Sequence, residues 1–168
     1  MANKNSENPH VGHNFETLVK SILEAEFQTR FESEARVAIG RPAKDHKFDL
    51  ANQDRSIVAE CKCYTWTGSG NVPSAKLMGL DEAVFYFGFL PPETKKLLCM
   101  KKAVYRGKTE TLAEYYVRVH GHLLSDIFVY EISDDGTIRM IRNGSDGKRF
   151  DFDSSIKHFS ISGGHAHD

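Results

Sequence analysis

The sequence is poor in cysteine, and its thiols follow no pattern of a stapled or zinc-bound protein. Three cysteines, Cys61, Cys63 and Cys99, occur among 168 residues. An odd, scattered count favours reduced thiols over a disulfide framework. Only one residue separates Cys61 from Cys63, and no second Cys/His pair follows at finger-like distance, so the spacing argues against structural zinc.

Long apolar runs and an excess of one charge are also missing. No stretch approaches the ~20 apolar residues of a membrane helix, and the opening residues carry no hydrophobic signal region. We therefore expect a cytoplasmic protein that does not contact a membrane. With 22 basic and 23 acidic residues, the net charge is −1. Contact with nucleic acid would therefore depend on local basic patches or on a metal ion.

The chain length and the apolar pattern predict one domain. We expect a flexible tail over residues 1–11, a single domain over residues 12–153 and a loose tail over residues 154–168. The first predicted helix starts at Gly12, with Asn14 as its N-cap and Glu16 in its first turn. Its apolar residues recur at helical spacing: Phe15, Leu18, Val19, Ile22, Leu23 and Phe27.

Strands and helices then alternate along the chain. Ser74 is predicted to cap a second helix that ends before Pro91, and a third helix is predicted over residues 111–124. The pair Asp135-Gly136 is typical of a hairpin turn. Strands are predicted over residues 35–40, 46–52, 56–66, 95–105, 127–133 and 137–143. This order predicts an α/β fold with one mixed sheet flanked by helices.

The third predicted strand contains two charged residues within an apolar run. The segment IVAECKCY places Glu60 and Lys62 two positions apart, hence on one face of the strand. If Asp54 and Arg55 form a two-residue turn, Asp49 lies directly opposite Glu60 on the preceding strand, with Cβ atoms roughly 4.5–5.5 Å apart. The sequence thus predicts two adjacent carboxylates beside an amine.

Two carboxylates at that distance repel each other unless positive charge lies between them. Lys62 supplies one positive charge, and a divalent cation would supply the rest. Oxygen ligands of this kind suit Mg²⁺ best. We therefore predict Mg²⁺ as the cofactor. The simpler interpretation is that Asp49, Glu60 and Lys62 form ion pairs on an exposed sheet edge, which contribute little and need no function.

Asp49 followed by Glu60-Cys61-Lys62 resembles the D…(D/E)xK signature of the PD-(D/E)xK nuclease superfamily, although Phe48 occupies the position of the proline. The predicted order of elements resembles the αβββαβ core of this restriction-endonuclease-like fold. The resemblance implies Mg²⁺-dependent hydrolysis of phosphodiester bonds that leaves a 5′-phosphate and a 3′-hydroxyl. It implies Asp49, Glu60 and Lys62 as catalytic residues. It also implies Asp49, Glu60, the main-chain carbonyl of Cys61 and Glu16 as metal ligands.

Candidate DNA contacts are basic residues near this motif. Arg41 and Lys44 flank the turn before the Asp49 strand, and Lys47 lies on that strand. Lys76 follows the loop of residues 67–73, which comes directly after the Glu60 strand and is a candidate recognition loop. Six further basic residues lie between positions 95 and 108; a phosphate-binding track and a lysine-protected strand edge explain them equally well.

The function that these features favour is a Mg²⁺-dependent DNA endonuclease. Restriction-type cleavage is slightly preferred over junction resolution and repair. Because 168 residues leave little room for a separate recognition domain, we expect a homodimer or a partner subunit. The alternative is a catalytically silent module that binds nucleic acid or supports assembly and retains the same fold.

Overall fold

The structure is a computed structural model that describes residues 8–145 and 156–158. It has a mixed α/β fold, in which one seven-stranded sheet is flanked by helices. A 3-10 turn, Gly121–Leu123, follows the last helix. The elements in chain order are α1 (Asn8–Phe27), β1 (Phe31–Ile39), β2 (Lys44–Asn52), β3 (Ile57–Lys62), α2 (Ser74–Phe87), β4 (Lys95–Lys101), α3 (Leu112–His120), β5 (Ile127–Ile132), β6 (Thr137–Arg142) and β7 (Ile156–His158).

The strands lie in the sheet in the same order as in the chain. β1, β2 and β3 form an antiparallel meander; β3, β4 and β5 are parallel; β5, β6 and β7 are antiparallel. The helices α2 and α3 connect the parallel strands. Because such crossovers are right-handed and both advance in one direction, the two helices belong on the same face of the sheet.

Two hydrophobic clusters fill the space on the two faces. On one face, α1 packs Phe15, Val19 and Leu23 into a cluster with apolar side chains of β1 to β5. On the other face, α2 and α3 pack side chains such as Leu80 and Tyr116 against the opposite side of the same strands. β3 and β4 are buried along most of their length, as expected for central strands covered on both faces.

The first helix begins earlier than the sequence predicts. It starts at Asn8, so residues 8–11 of the expected tail are helical, and Asn14 lies in the second turn and is not an N-cap. Glu16 consequently lies in the third turn, where the helix dipole no longer explains an acid. Asn8-Pro9 is itself a helix-start signal, because proline fits the first turn of a helix.

Other boundaries also differ. Pro73 occupies the N-cap of α2 without a side-chain hydrogen bond, so the prediction of Ser74 as the cap is wrong. β3 ends at Lys62 and β4 at Lys101, both four residues before the predicted ends. Beyond these points the chain leaves the sheet, and the Trp66 indole N–H donates to the carbonyl of Ala103 (3.1 Å). Packing between the loops that follow β3 and β4 thus replaces the strand pairing that the sequence predicts for these residues.

The C-terminal part follows the predicted hairpin. β5 and β6 are joined by a turn in which the Gly136 N–H donates to the Ser133 carbonyl, with Gly136 at φ +82°. β7 lies within the segment expected to be loose, while residues 1–7, 146–155 and 159–168 lie outside the described part. Among the described helices, none combines the length and the apolar character needed to cross a membrane.

Candidate active site

Asp49 lies where β2 loses its regular pairing on both sides. The β1–β2 ladder joins Ser33 to Leu50 and Ala35 to Phe48, which bypasses Glu34 and Asp49. Glu34 has φ +52°, a left-handed conformation that residues with a Cβ rarely adopt. A local irregularity of this kind redirects side chains in a sheet. It frees the Asp49 side chain for contacts between the strands.

The register of β2 on β3 is the predicted one. Leu50 pairs with Ala59 and Ala51 with Val58, so the next step of the same register brings Asp49 opposite Glu60. The connection is longer than the predicted two-residue turn, because β2 ends at Asn52 and β3 begins at Ile57. The Asn52 side chain accepts a hydrogen bond from the Ile57 N–H (2.9 Å) and closes the loop. The register is unchanged since the extra residues fall on both sides of the turn.

Past the pair of Leu50 and Ala59, the Asp49 carboxylate replaces a main-chain carbonyl of β2 as the hydrogen-bond partner of β3. Its Oδ2 accepts a hydrogen bond from the Cys61 N–H at 2.7 Å. In an extended strand, the N–H and the C=O of one residue point to the same side. The Cys61 carbonyl therefore faces the same gap between β2 and β3 as the Asp49 carboxylate.

Glu60 and Lys62 meet Asp49 in this gap. The Lys62 ammonium lies 2.5 Å from Glu60 Oε2 and 3.8 Å from Asp49 Oδ2. The side chains of Glu60, Lys62 and Asp49 are 9%, 18% and 27% exposed, respectively. The three residues therefore form a half-buried cluster, and the interpretation as ion pairs on an exposed edge does not describe their surroundings.

The environment shifts the proton equilibria of this cluster. Burial, and next the charge of Asp49, raise the pKa of Glu60 to about 7, although Lys62 opposes the shift. Burial lowers the pKa of Lys62, but the charges of Glu60 and Asp49 outweigh it, so its pKa is raised overall. Strongly perturbed carboxyl groups in a cleft are typical of functional sites. Near neutral pH, Lys62 remains an ammonium while Glu60 is within its titration range.

Glu16 approaches the cluster from α1. Burial and the charge of Asp49 raise the pKa of Glu16, and Lys62 is among the groups that lower it. Such mutual influence requires proximity, so α1 brings a third carboxyl group toward the gap.

His46, which sequence reasoning missed, approaches from β2. Burial lowers the pKa of His46, and the charge of Lys62 lowers it further. The His46 ring stacks on the Tyr86 ring, with the two ring centroids 3.7 Å apart.

The donor atoms of the gap fit a hard divalent cation. Carboxylate and carbonyl oxygens are the ligands that Mg²⁺ prefers, and Asp49, Glu60 and the Cys61 carbonyl supply them on one side of β3. Within residues 8–145 and 156–158, no three His, Cys, Asp or Glu side chains are arranged to hold a metal. A site of two carboxylates and one main-chain oxygen would not form such a group. The Lys62 ammonium lies near both carboxylates and offsets one of their two negative charges.

The four predicted DNA contacts occupy different positions. Lys76 is exposed in the first turn of α2, and its ammonium lies 5.9 Å from the centroid of the Tyr64 ring. Lys47 is exposed and forms an ion pair with Glu34 (2.6 Å). Arg41 and Lys44 lie at the exposed β1–β2 hairpin. Since a strand rises about 3.4 Å per residue, they lie roughly 17 Å or more from Asp49.

The basic residues between positions 95 and 108 do not form one track. Lys95 lies at the start of β4, with its ammonium over the rings of Phe27 and Phe128, and Lys96 is buried in an ion pair with Asp126 (2.5 Å). Lys101 lies at the other end of β4, where it and Lys76 both influence the Cys63 thiol. Only the later part of this segment is therefore close to the candidate site.

The loop after β3 is tied to the loop after β4. Trp66 is buried as well as hydrogen-bonded to Ala103, so it belongs to the core and is not a stacking platform. The Tyr105 hydroxyl donates to the Gly68 carbonyl (3.2 Å). A Cβ at Gly70 would lie 2.3 Å from the Tyr105 ring, and Gly70 has φ +77°. Only glycine suits this position, which fixes the loop beside the carboxyl ends of the parallel strands.

The chain was compared with protein-family models, with curated proteins and with solved structures, and it matches none of them. We therefore infer its function from the geometry and the electrostatics of the gap between β2 and β3.

Proposed function

We propose that the protein is a Mg²⁺-dependent DNA endonuclease with a restriction-endonuclease-like fold. The observation that carries the proposal is the convergence of Asp49, Glu60 and Lys62 where β2 and β3 stop pairing. The order of elements from α1 to β4 supports it, since a helix, a three-stranded meander, a crossover helix and a parallel strand follow one another as in the αβββαβ core.

Asp49, Glu60 and the carbonyl of Cys61 would hold Mg²⁺, with Glu16 as a further carboxylate from α1. When bound, Mg²⁺ lowers the pKa of a coordinated water and neutralises charge on the phosphate. Ionised Glu60 is the ligand form. The raised pKa of Glu60 therefore implies that cation binding displaces a proton or the Lys62 ammonium from this carboxyl group.

Lys62 acts in this proposal as a cation. Its raised pKa keeps it protonated while Glu60 and Asp49 surround it. With these carboxylates holding the metal ion, the Lys62 ammonium would be free to donate hydrogen bonds. It would then orient the attacking water and stabilise negative charge on the phosphate, a role for which a preorganised donor is effective.

The DNA would lie across the carboxyl ends of β3 and β4. Lys76 and Lys101 are at this end of the sheet, and Lys47 is on the strand of Asp49. Arg41 and Lys44 would contact phosphates farther along the duplex, consistent with their distance from Asp49 along β2. Restriction-type cleavage, with a 5′-phosphate and a 3′-hydroxyl as products, is our preferred form of the activity. A homodimer or a partner subunit would complete recognition.

A second candidate is a catalytically silent module that binds nucleic acid or supports assembly. The ion pair between Lys62 and Glu60 favours it, because this contact offsets the charge of Glu60 without a metal ion.

The test combines DNA cutting with Mg²⁺ binding. Supercoiled plasmid is incubated with the wild-type protein, Asp49→Asn and Lys62→Met, in Mg²⁺ and in EDTA. We expect cutting in Mg²⁺ only, reduced at least about a hundredfold in both variants, because each removes a charge from the reacting centre. Asp45→Asn is the matched control: this exposed residue lies on the same strand and should cut normally.

Thermal melting of the same proteins separates the two candidates. Mg²⁺ should raise the melting temperature of the wild type and of Asp45→Asn, but not that of Asp49→Asn. The absence of both cutting and stabilisation by Mg²⁺ would favour the silent module. Equal cutting by wild type, Asp49→Asn and Lys62→Met would overturn the proposed site.

A further inference from the structure

The outer side of α2 carries large apolar residues that face solvent. Met78, Phe85 and Phe89 are 71%, 61% and 49% exposed. Their spacing of seven and four residues lies along one stripe of the helix and its C-terminal extension. The rings of Phe85 and Phe89 contact each other edge to face, with centroids 5.0 Å apart. We call these three residues the α2 ridge.

A cavity opens beside the ridge. It has a volume of about 370 Å³, and Val84 and Gly88 of the α2 segment line it together with Leu123 from the 3-10 turn. The ion pair of Lys96 and Asp126 forms a polar part of its wall. Leu123 is 56% exposed and extends the apolar surface across the cavity. An apolar cavity of roughly 150 Å³ accommodates a benzene ring. The space beside the ridge is therefore large enough for one phenyl side chain.

The exposed apolar area has the size of a dimer interface. At roughly 200 Å² for each fully exposed side chain, the ridge and Leu123 present about 450–500 Å² of apolar surface. A stable interface buries about 800 Å² on each partner, of which about 56–65% is apolar. The patch matches that requirement, and it lies within the roughly 300–600 Å² of the largest apolar patch on a typical monomer, which is often functional.

We infer that this face binds a second copy of the chain in a two-fold symmetric dimer. An isologous interface needs projections and recesses on the same patch, because each surface meets itself. The α2 ridge supplies projecting rings and the neighbouring cavity supplies the recess. A phenyl ring of Phe85 or Phe89 from each copy fills the cavity of the other. The interface involves neither the β2–β3 gap nor DNA, so it does not depend on the proposed activity.

The test is the mass of the protein in solution without DNA or metal. Light scattering after gel filtration should give twice the 19.0 kDa chain mass for the wild type in the micromolar range. Phe85→Glu and Leu123→Glu place charges in the interface from two different elements, and each should give the mass of one chain. Val11→Glu is the control, because Val11 is 46% exposed on α1, which covers the opposite face of the sheet.

All three substituted side chains are at the surface, so the melting temperature and the circular dichroism of each variant should show a folded protein. Folded, monomeric Phe85→Glu and Leu123→Glu beside dimeric Val11→Glu would support the dimer. A wild-type protein that stays monomeric up to high micromolar concentration would overturn it and leave this face to a different partner. Dimers that persist in Phe85→Glu and Leu123→Glu would also overturn it.

Discussion

At the scale of single residues, the Glu60 carboxyl group links stability to pH. Its pKa is about 7 in the folded protein, against 4.5 for an unperturbed glutamate, chiefly because of burial. Between these two pH values the folded state keeps a proton that the unfolded state releases. The resulting stabilisation is fully present below about pH 4.5 and is lost as the pH rises through about 7.

We therefore predict that Glu60→Gln flattens the dependence of the free energy of unfolding on pH. The difference between a pKa of 4.5 and one of about 7 corresponds to at most about 3–4 kcal/mol. Urea denaturation at about pH 5 and about pH 8 should show the wild type losing up to this amount relative to the variant. Glu32→Gln is the control, since Glu32 forms an ion pair at the surface of β1. Parallel pH profiles for wild type and Glu60→Gln would contradict the assignment.

At the scale of elements, the helices differ in how their first turns are held. The Thr111 hydroxyl accepts from the Glu114 N–H (3.2 Å), and the Glu114 carboxylate accepts from the Thr111 N–H (2.7 Å), which makes a capping box for α3. Ser74, at the first position of α2, makes no such contact. The two residues have similar hydroxyl groups and different structural roles.

Thr111→Ala should therefore lower the free energy of unfolding by about 1 kcal/mol, the usual cost of losing an N-cap side chain. Ser74→Ala should change it by less than about 0.5 kcal/mol. Chemical denaturation of both variants measures the contrast. An equal loss of unfolding free energy in Thr111→Ala and Ser74→Ala would contradict the different roles of the two hydroxyl groups.

Sequence patterns predicted the elements and the register better than they predicted local geometry. Apolar runs around Leu50 and Val58 determine which faces of β2 and β3 are buried, and this requirement sets Asp49 opposite Glu60 whatever the turn length. The bypass at Glu34 could not be predicted, because a glutamate gives no signal for φ +52°. The early end of β3 depends on a hydrogen bond from Trp66 to a residue 37 positions away.

At the scale of the whole molecule, the lysines at the two ends of the parallel strands lie in different surroundings. Lys76 is exposed at the end that carries the β2–β3 gap, whereas Lys95 covers two aromatic rings at the other end. Both side chains carry one positive charge, so substituting either one changes the net charge equally. Only their positions distinguish them.

If DNA lies across the carboxyl ends of the strands, Lys76→Gln should weaken DNA binding and reduce the slope of log K against log salt by about 1. Lys95→Gln should leave both unchanged. Fluorescence anisotropy with a short duplex over a salt series, in EDTA to prevent cutting, measures the effect. An equal loss in both variants would show that binding follows overall charge and not this surface.

The left-handed Glu34 also bears on how copies of the chain avoid one another. Among the described strands, β1 pairs with β2 alone, and it could in principle receive a strand from another molecule. Glu32, Ser33 and Glu34 are exposed in a row on this strand, and the irregular backbone at Glu34 interrupts its straight course. Charges and irregularities on an edge strand oppose the pairing of strands between molecules. The distortion that frees Asp49 thus also protects this edge of the sheet from amyloid-like aggregation.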